Sequence, residues 1–202
     1  SILVNEGFFL YASFSGTTLI FTIRIGTILY TGNVGDSRCV LCSKGNNNEN
    51  GTPFVVKALS VDQKPSDKEE MERILAAGGR VAPLPGYGPD EDAGPDRVWL
   101  ADVDVPGLAM SRSIGDAISH TVGVIHTPVV TKHQLNGDDL FIVLASDGVW
   151  EFIDDFDACS VIMETANDLH QAAENLVQES NAAWKAEEEV VDDITCLIVA
   201  LN

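Results

Sequence analysis

Two stretches of this chain are almost wholly apolar and rich in strand-forming residues. Leu140-Phe141-Ile142-Val143-Leu144-Ala145 runs into Ser146-Asp147-Gly148, and Ile194-Thr195-Cys196-Leu197-Ile198-Val199-Ala200-Leu201 follows later. A short continuous apolar run bounded by turn residues predicts a strand covered on both faces. Both stretches are therefore expected to lie buried. Residues 17–24, 27–34 and 38–43 are β-rich and broken by Ile25-Gly26 and by Asn33-Val34-Gly35-Asp36, which predicts an antiparallel meander. Residues 54–59 and 129–134 add two strands.

Helical signals are fewer. Ser66-Asp67-Lys68-Glu69 has the form of a capping box, with Pro65 before it. Met71, Ile74 and Leu75 supply an apolar stripe, and Gly78-Gly79 a stop. One further helix starts near Asp154 or Asp155 and carries Cys159, Val161, Ile162 and Met163. Another starts near Asn167 or Asp168 and carries Ala173, Leu176, Val177 and Trp184. Two amphipathic helices after a buried strand are expected to pack on a sheet face. The asparagine-rich residues 45–51 read as an exposed insertion, and residues 83–95 as a long mobile loop. Strands in runs and helices in pairs predict an α+β fold with antiparallel sheets, in a single domain spanning residues 1–202.

Composition narrows the partners. The 202 residues include 31 acidic and 12 basic ones, for a net charge of −19. Binding nucleic acid needs a cationic footprint, and so does binding an anionic membrane surface; neither is expected here. No run is long enough to span a membrane. The first residues lack the basic start and cleavage site of a signal peptide. Cys39, Cys42, Cys159 and Cys196 do not form a zinc set, and Cys39 and Cys42 should point to opposite faces of a strand. They read as free thiols of a cytoplasmic protein, with the nucleus as the second location.

The candidate chemistry lies in three acidic turns set against apolar strands: Asp147-Gly148, Gly35-Asp36-Ser37 and Val191-Asp192-Asp193-Ile194. Carboxylates are hard ligands that suit magnesium, calcium or manganese. None of the four histidines falls in these turns, which argues against zinc. No single loop holds enough donors for an EF-hand. Alone, each turn is equally a hairpin turn, a solvated face or a helix start.

The surrounding residues sharpen this. Ser15-Gly16-Thr17-Thr18, Asn33-Val34-Gly35-Asp36-Ser37-Arg38, Asp62-Gln63-Lys64-Pro65, Leu108-Ala109-Met110-Ser111-Arg112-Ser113-Ile114-Gly115-Asp116, Ser146-Asp147-Gly148-Val149-Trp150-Glu151 and Asp192-Asp193-Ile194-Thr195 occur in that order. The set resembles the metal-dependent serine/threonine protein phosphatases of type 2C. That resemblance implies two packed antiparallel sheets flanked by helix pairs, an αββα sandwich. It implies a centre of two Mn²⁺ or Mg²⁺ ions, with room for a third. Asp147 and Asp192 would ligate core metals, Asp36 an additional metal or its water, and Glu151 would lie near that extra ion. Asp193 stands where the family has Asn. Asp116 reads as structural, satisfying turn amides. The nucleophile would be a metal-bridging water whose pKa two ions about 4 Å apart bring near neutrality. It would hydrolyse phosphoserine or phosphothreonine in phosphoprotein substrates without a covalent intermediate, so no catalytic side chain beyond the metal ligands is expected.

The family's Asp-Gly-His-Gly motif does not occur in this sequence, nor does the leaving-group acid that accompanies it. The chain, which begins with Ser, is expected to be N-terminally truncated and weak or inactive alone. Apolar edges uncovered in this way would favour self-association. The alternative reading is a pseudophosphatase, or a regulatory binding module that keeps the fold without turnover.

Overall fold

The structure is a computed structural model that describes residues 12–45, 53–86 and 94–201, with the backbone of two short strands before them. The chain opens with β1 (Val4–Asn5), β2 (Phe8–Phe9), β3 (Gly16–Thr17), β4 (Leu19–Ile25), β5 (Ile28–Val34), β6 (Arg38–Lys44) and β7 (Phe54–Ala58). Next come α1 (Lys68–Ala76), β8 (Arg80–Ala82), β9 (Arg97–Trp99), β10 (Pro106–Leu108), β11 (Ile114–Gly115) and α2 (Ala117–His120). The remaining elements are β12 (Val129–Gln134), β13 (Asp139–Ala145), α3 (Asp147–Trp150), α4 (Asp155–Glu164), α5 (Leu169–Glu187) and β14 (Cys196–Ala200). They form two compact units interleaved along the chain: residues 1–19, 34–36 and 62–128, and residues 20–33, 37–61 and 129–202. The asparagine-rich stretch from residue 46, most of the proline-rich loop and the first eleven side chains lie outside the described residues.

The second unit holds two sheets, ordered β14-β13-β6-β7 and β12-β5-β4. β13 pairs antiparallel with both β6 and β14, so the apolar run at its heart is central. Its alternate side chains enter two cores. Phe141, Val143 and Ala145 pack with Val40, Cys42, Cys159, Ile162 and Leu176 under α4 and α5. Ile142 and Leu144 pack with Leu29, Cys39, Leu41, Leu59 and Leu201 between the sheets. Burying one such Val or Leu side chain contributes about 1.5–3 kcal/mol. Cys39 and Cys42 thus enter opposite layers as free thiols. Burial pushes the Cys39 thiol up to about 11 against weaker opposition from Thr22 and Thr31, so it stays neutral.

Both helices start where their caps place them. Asp154 accepts from Asp157 N, and Asp168 from His170 N and Gln171 N. Each satisfies amide donors that the first turn leaves unpaired.

Three expectations need correction. The meander does not continue past β5: after the turn at residues 35–37 the chain crosses sheets, and β6 joins β13 and β7. The capping box does not form, because the Asp67 carboxylate turns back to accept from Lys64 N at 3.0 Å and Asp67 itself becomes the N-cap. The last apolar strand is not buried. β14 is an edge strand, with Leu197 57% and Val199 39% exposed.

The first unit contains the β10-β9-β8 sheet, the β11-β3 pair and α1. Ile74, Val98, Val122 and Val124 form its core. Gly78, at φ 83, ends α1 in the left-handed region, as its sequence predicts.

Candidate functional site

Asp147 follows the central strand directly and opens α3. Its turn is tied to the Asp192-Asp193 turn. Ser146 N donates to Thr195 O at 3.0 Å, Ser146 Oγ to Asp193 O at 3.2 Å, and Thr195 N to Ser146 Oγ at 3.2 Å. Gly148 allows the approach: a Cβ there would sit 2.4 Å from Asp193 O. The glycine is needed for contact between backbones and not for a left-handed turn. Glu151 N donates to Asp147 O, so Glu151 projects one helical turn beyond Asp147, and it is exposed. Asp192 is exposed, and its Oδ1 accepts from Asp193 N at 2.7 Å. Trp184 of α5 braces the turn, its indole N–H donating to Gly148 O at 2.8 Å while its ring meets Phe152 edge-on. Three of the four residues expected as ligands, Asp147, Glu151 and Asp192, therefore sit on backbone segments that are joined to one another.

Asp36, the fourth, belongs to the other unit. It is 2% exposed, and Lys64 Nζ lies 2.6 Å from its Oδ2. Gly35, at φ 101, donates to Gln63 Oε1 and accepts from Gln63 N, which clamps the Gly-Asp-Ser turn onto Asp62-Gln63-Lys64-Pro65. Two motifs separate in sequence thus form one structure. Gln63 O also accepts from Ser111 N, linking in the segment that ends at Asp116.

That segment is held by Glu70, a buried carboxylate on α1. Arg112 reaches both of its oxygens, and Arg73 and Ser111 Oγ reach Oε2. Burial pushes the Glu70 carboxyl up, but the bonds from Arg112, Arg73 and Ser111 outweigh it and bring it down to about 2. Asp116, at the segment's end, departs from the sequence expectation. It is 8% exposed, sits at φ 41, and its side chain accepts no cap hydrogen bond. Among the described residues it does not cap the helix that follows. Its carboxylate instead presses on Gly16, where a Cβ would meet Oδ2 at 1.9 Å, and lines a cavity of about 350 Å³ with Ser15, Thr17, Thr18 and Met110. A strained, buried acid of this kind is a functional candidate. Its one sequence signal is an Asp directly after a glycine, since Asp tolerates left-handed backbone better than most residues.

Metal fit can be judged from these donors. Among the described residues no group of three or more His, Cys, Asp or Glu side chains gathers where it could hold an ion. The donors present do not make a metal cage by themselves, so no chemical step is routed through one here.

Comparison with known proteins places the chain. Residues 11–188 match the sequence model of the family Protein phosphatase 2C. A relative described as probable protein phosphatase 2C 73 of Arabidopsis thaliana is 37% identical over 94% of this chain and 48% of its own length. Probable protein phosphatase 2C 12 of Oryza sativa subsp. japonica is 38% identical over 94% of this chain and 47% of its own length. The chain thus spans about half the length of these curated relatives. In fold it is similar to a serine-threonine phosphatase 2C from Toxoplasma gondii, with a TM-score of 0.78 at 22% identity over 92% of this chain and 58% of that one. It is also similar to a C. elegans sex determining protein, with a TM-score of 0.70 at 20% identity over 93% of this chain and 40% of that one. On the sequence match, this chain belongs to the protein phosphatase 2C family.

Proposed function

We propose that the chain is part of a metal-dependent protein phosphatase that hydrolyses phosphoserine and phosphothreonine in protein substrates. The observation that carries this reading is the backbone contact that joins the Asp147-Gly148 turn to the Asp192-Asp193 turn, two turns that carry family motifs. Mn²⁺ or Mg²⁺, when bound, supplies an activated water. Asp147 and Asp192 are the residues assigned to the core ions, Glu151 and Asp36 to a further one. Asp116, strained and lacking a cap bond, joins them as a candidate.

The chain alone is expected to turn over phosphopeptide weakly, because the described donors do not assemble a complete set. Manganese titration with a phosphatase assay tests this. The 202-residue chain, its Asp147→Ala variant and a form extended at the N-terminus are compared. Activity that appears in the extended form and is lost with Asp147 supports the enzyme reading. Robust manganese-dependent turnover by the chain alone would refute the claim of weakness. A second reading, a binding module without turnover, is favoured by the ammonium of Lys64 already compensating Asp36. An extended form that stays inactive with manganese supports that reading.

A further inference from the structure

We propose that Lys57 is an acylation site, an amine activated by His133 and Asp139 to take an acyl group from a thioester. Lys57 Nζ lies 3.4 Å from His133 Nδ1, and His133 Nε2 lies 2.9 Å from Asp139 Oδ2. Amine, imidazole and buried carboxylate stand in a row, the order in which a base and its orienting group activate a nucleophile. The row lies at the opposite end of β13 from Asp147, and it requires neither a bound ion nor the acidic turns.

Four strands of the second unit build it. Leu41 pairs with Lys57 on one side and with Ile142 on the other. Leu41 and Ile142 belong to the core between the two sheets, so Lys57 projects from that same face at its rim. On β12, Thr131 and His133 are half-buried while Lys132 and Gln134 are exposed, so His133 points inward from the other sheet. Asp139 opens β13 opposite Ser43 of β6.

The hydrogen bonds fix the proton positions. An ammonium only donates, so His133 Nδ1 accepts from Lys57 and the ring proton sits on Nε2, aimed at Asp139. Asp139 is 1% exposed, and Ser43 Oγ at 2.7 Å and Asn136 N at 3.0 Å also donate to it. Burial pushes its carboxyl up, but the bonds from His133, Asn136 and Ser43 outweigh it and hold it below the usual carboxylate range. Asp139 therefore stays ionised and favours a positive charge on the ring. Lys57 itself is exposed, so an acyl donor reaches it from solvent while the base stays behind it.

The step needs a thioester and nothing further. The ammonium of Lys57 first releases one proton to solvent. The free amine attacks the thioester carbonyl carbon, and the C–N bond forms as the C–S bond breaks. The surplus proton on nitrogen passes to His133 Nδ1, where Asp139 stabilises the imidazolium, and then to the departing thiolate. The products are an amide on Lys57 and a free thiol.

Incubating the 202-residue chain with the acetyl thioester of N-acetylcysteamine, followed by peptide mass mapping over time, tests this. Lys68, Lys132 and Lys185 are exposed as well and serve as the comparison. Lys57 should acetylate about tenfold faster than these or more. His133→Gln, which keeps a polar side chain but no base, should bring Lys57 down to their rate. His133→Ala should do the same, and free imidazole should restore part of the rate, which a merely structural histidine would not allow. Asp139→Asn should slow Lys57 and leave Lys132 and Lys185 unchanged, with the thermal melt recorded alongside. A Lys57 that reacts no faster than the other exposed lysines of the parent chain overturns the proposal, whatever the variants do. So does a fast Lys57 that is indifferent to His133→Gln.

Discussion

β13 and β14 are neighbours in one sheet and have nearly the same chemistry, Leu-Phe-Ile-Val-Leu-Ala against Cys-Leu-Ile-Val-Ala. Val143 of β13 is fully buried, while Val199 of β14 is 39% exposed. The difference comes from their neighbours. β13 has a strand on each side and a core on each face, whereas among the described strands β14 has a neighbour on one side only. An apolar strand states what it needs covered and leaves open what covers it. The carboxylates repeat the contrast. Glu70 finds two arginines and a hydroxyl inside its own unit, while Asp192 finds one backbone amide and solvent.

The largest test of this contrast places the same charge in both strands. Val143→Asp puts an unpaired carboxylate in a closed core and should cost about 4 kcal/mol or more, enough to unfold the chain in urea titration. Glu70→Ala comes next. It strands Arg112 and Arg73 in a buried setting and should cost about 3 kcal/mol. Glu70→Gln separates charge from shape through pH. The folded carboxyl lies near 2, below its ordinary 4.5. Its stabilisation is therefore complete above about pH 4.5 and is lost as pH falls toward 2, a slope that acid titration should find missing in the Gln variant. Gly148→Ala forces a methyl against Asp193 O and should cost about 2 kcal/mol, with the amides around Ser146 and Thr195 exchanging faster. The smallest effect belongs to Val199→Asp, expected to cost about 1 kcal/mol, the span of strand preference from Val to Asp. A loss there as large as that of Val143→Asp would break the comparison.

Much of the fold is legible in the residues. The β13 run, the caps at Asp154 and Asp168 and the stop at Gly78 all rest on local rules, and local rules suffice for them. What escapes depends on distant chain or on a competing local bond. Ser66-Asp67-Lys68-Glu69 satisfies the capping pattern, yet Asp67 finds Lys64 N first. No residue of β6 announces that the chain has changed sheets, because strand pairing is decided by β13 and β7. At the site, the acidic turns are visible as turns. The contact that joins two of them hangs on a missing Cβ at Gly148, and the strain at Asp116 belongs to backbone torsion. Neither leaves a mark in hydropathy or charge.

The indole of Trp184 gives the acidic turn an optical handle. Its N–H bond to Gly148 O and its edge contact with Phe152 tie a fluorophore to the backbone beside Asp147. A disturbance at that turn, from a bound cation or a substitution, alters the polarity and asymmetry around the ring. Emission wavelength and near-ultraviolet circular dichroism then register events at the carboxylates without a label; Trp150, inside α3, reports on the same turn, and Trp99 on β9 supplies the internal reference.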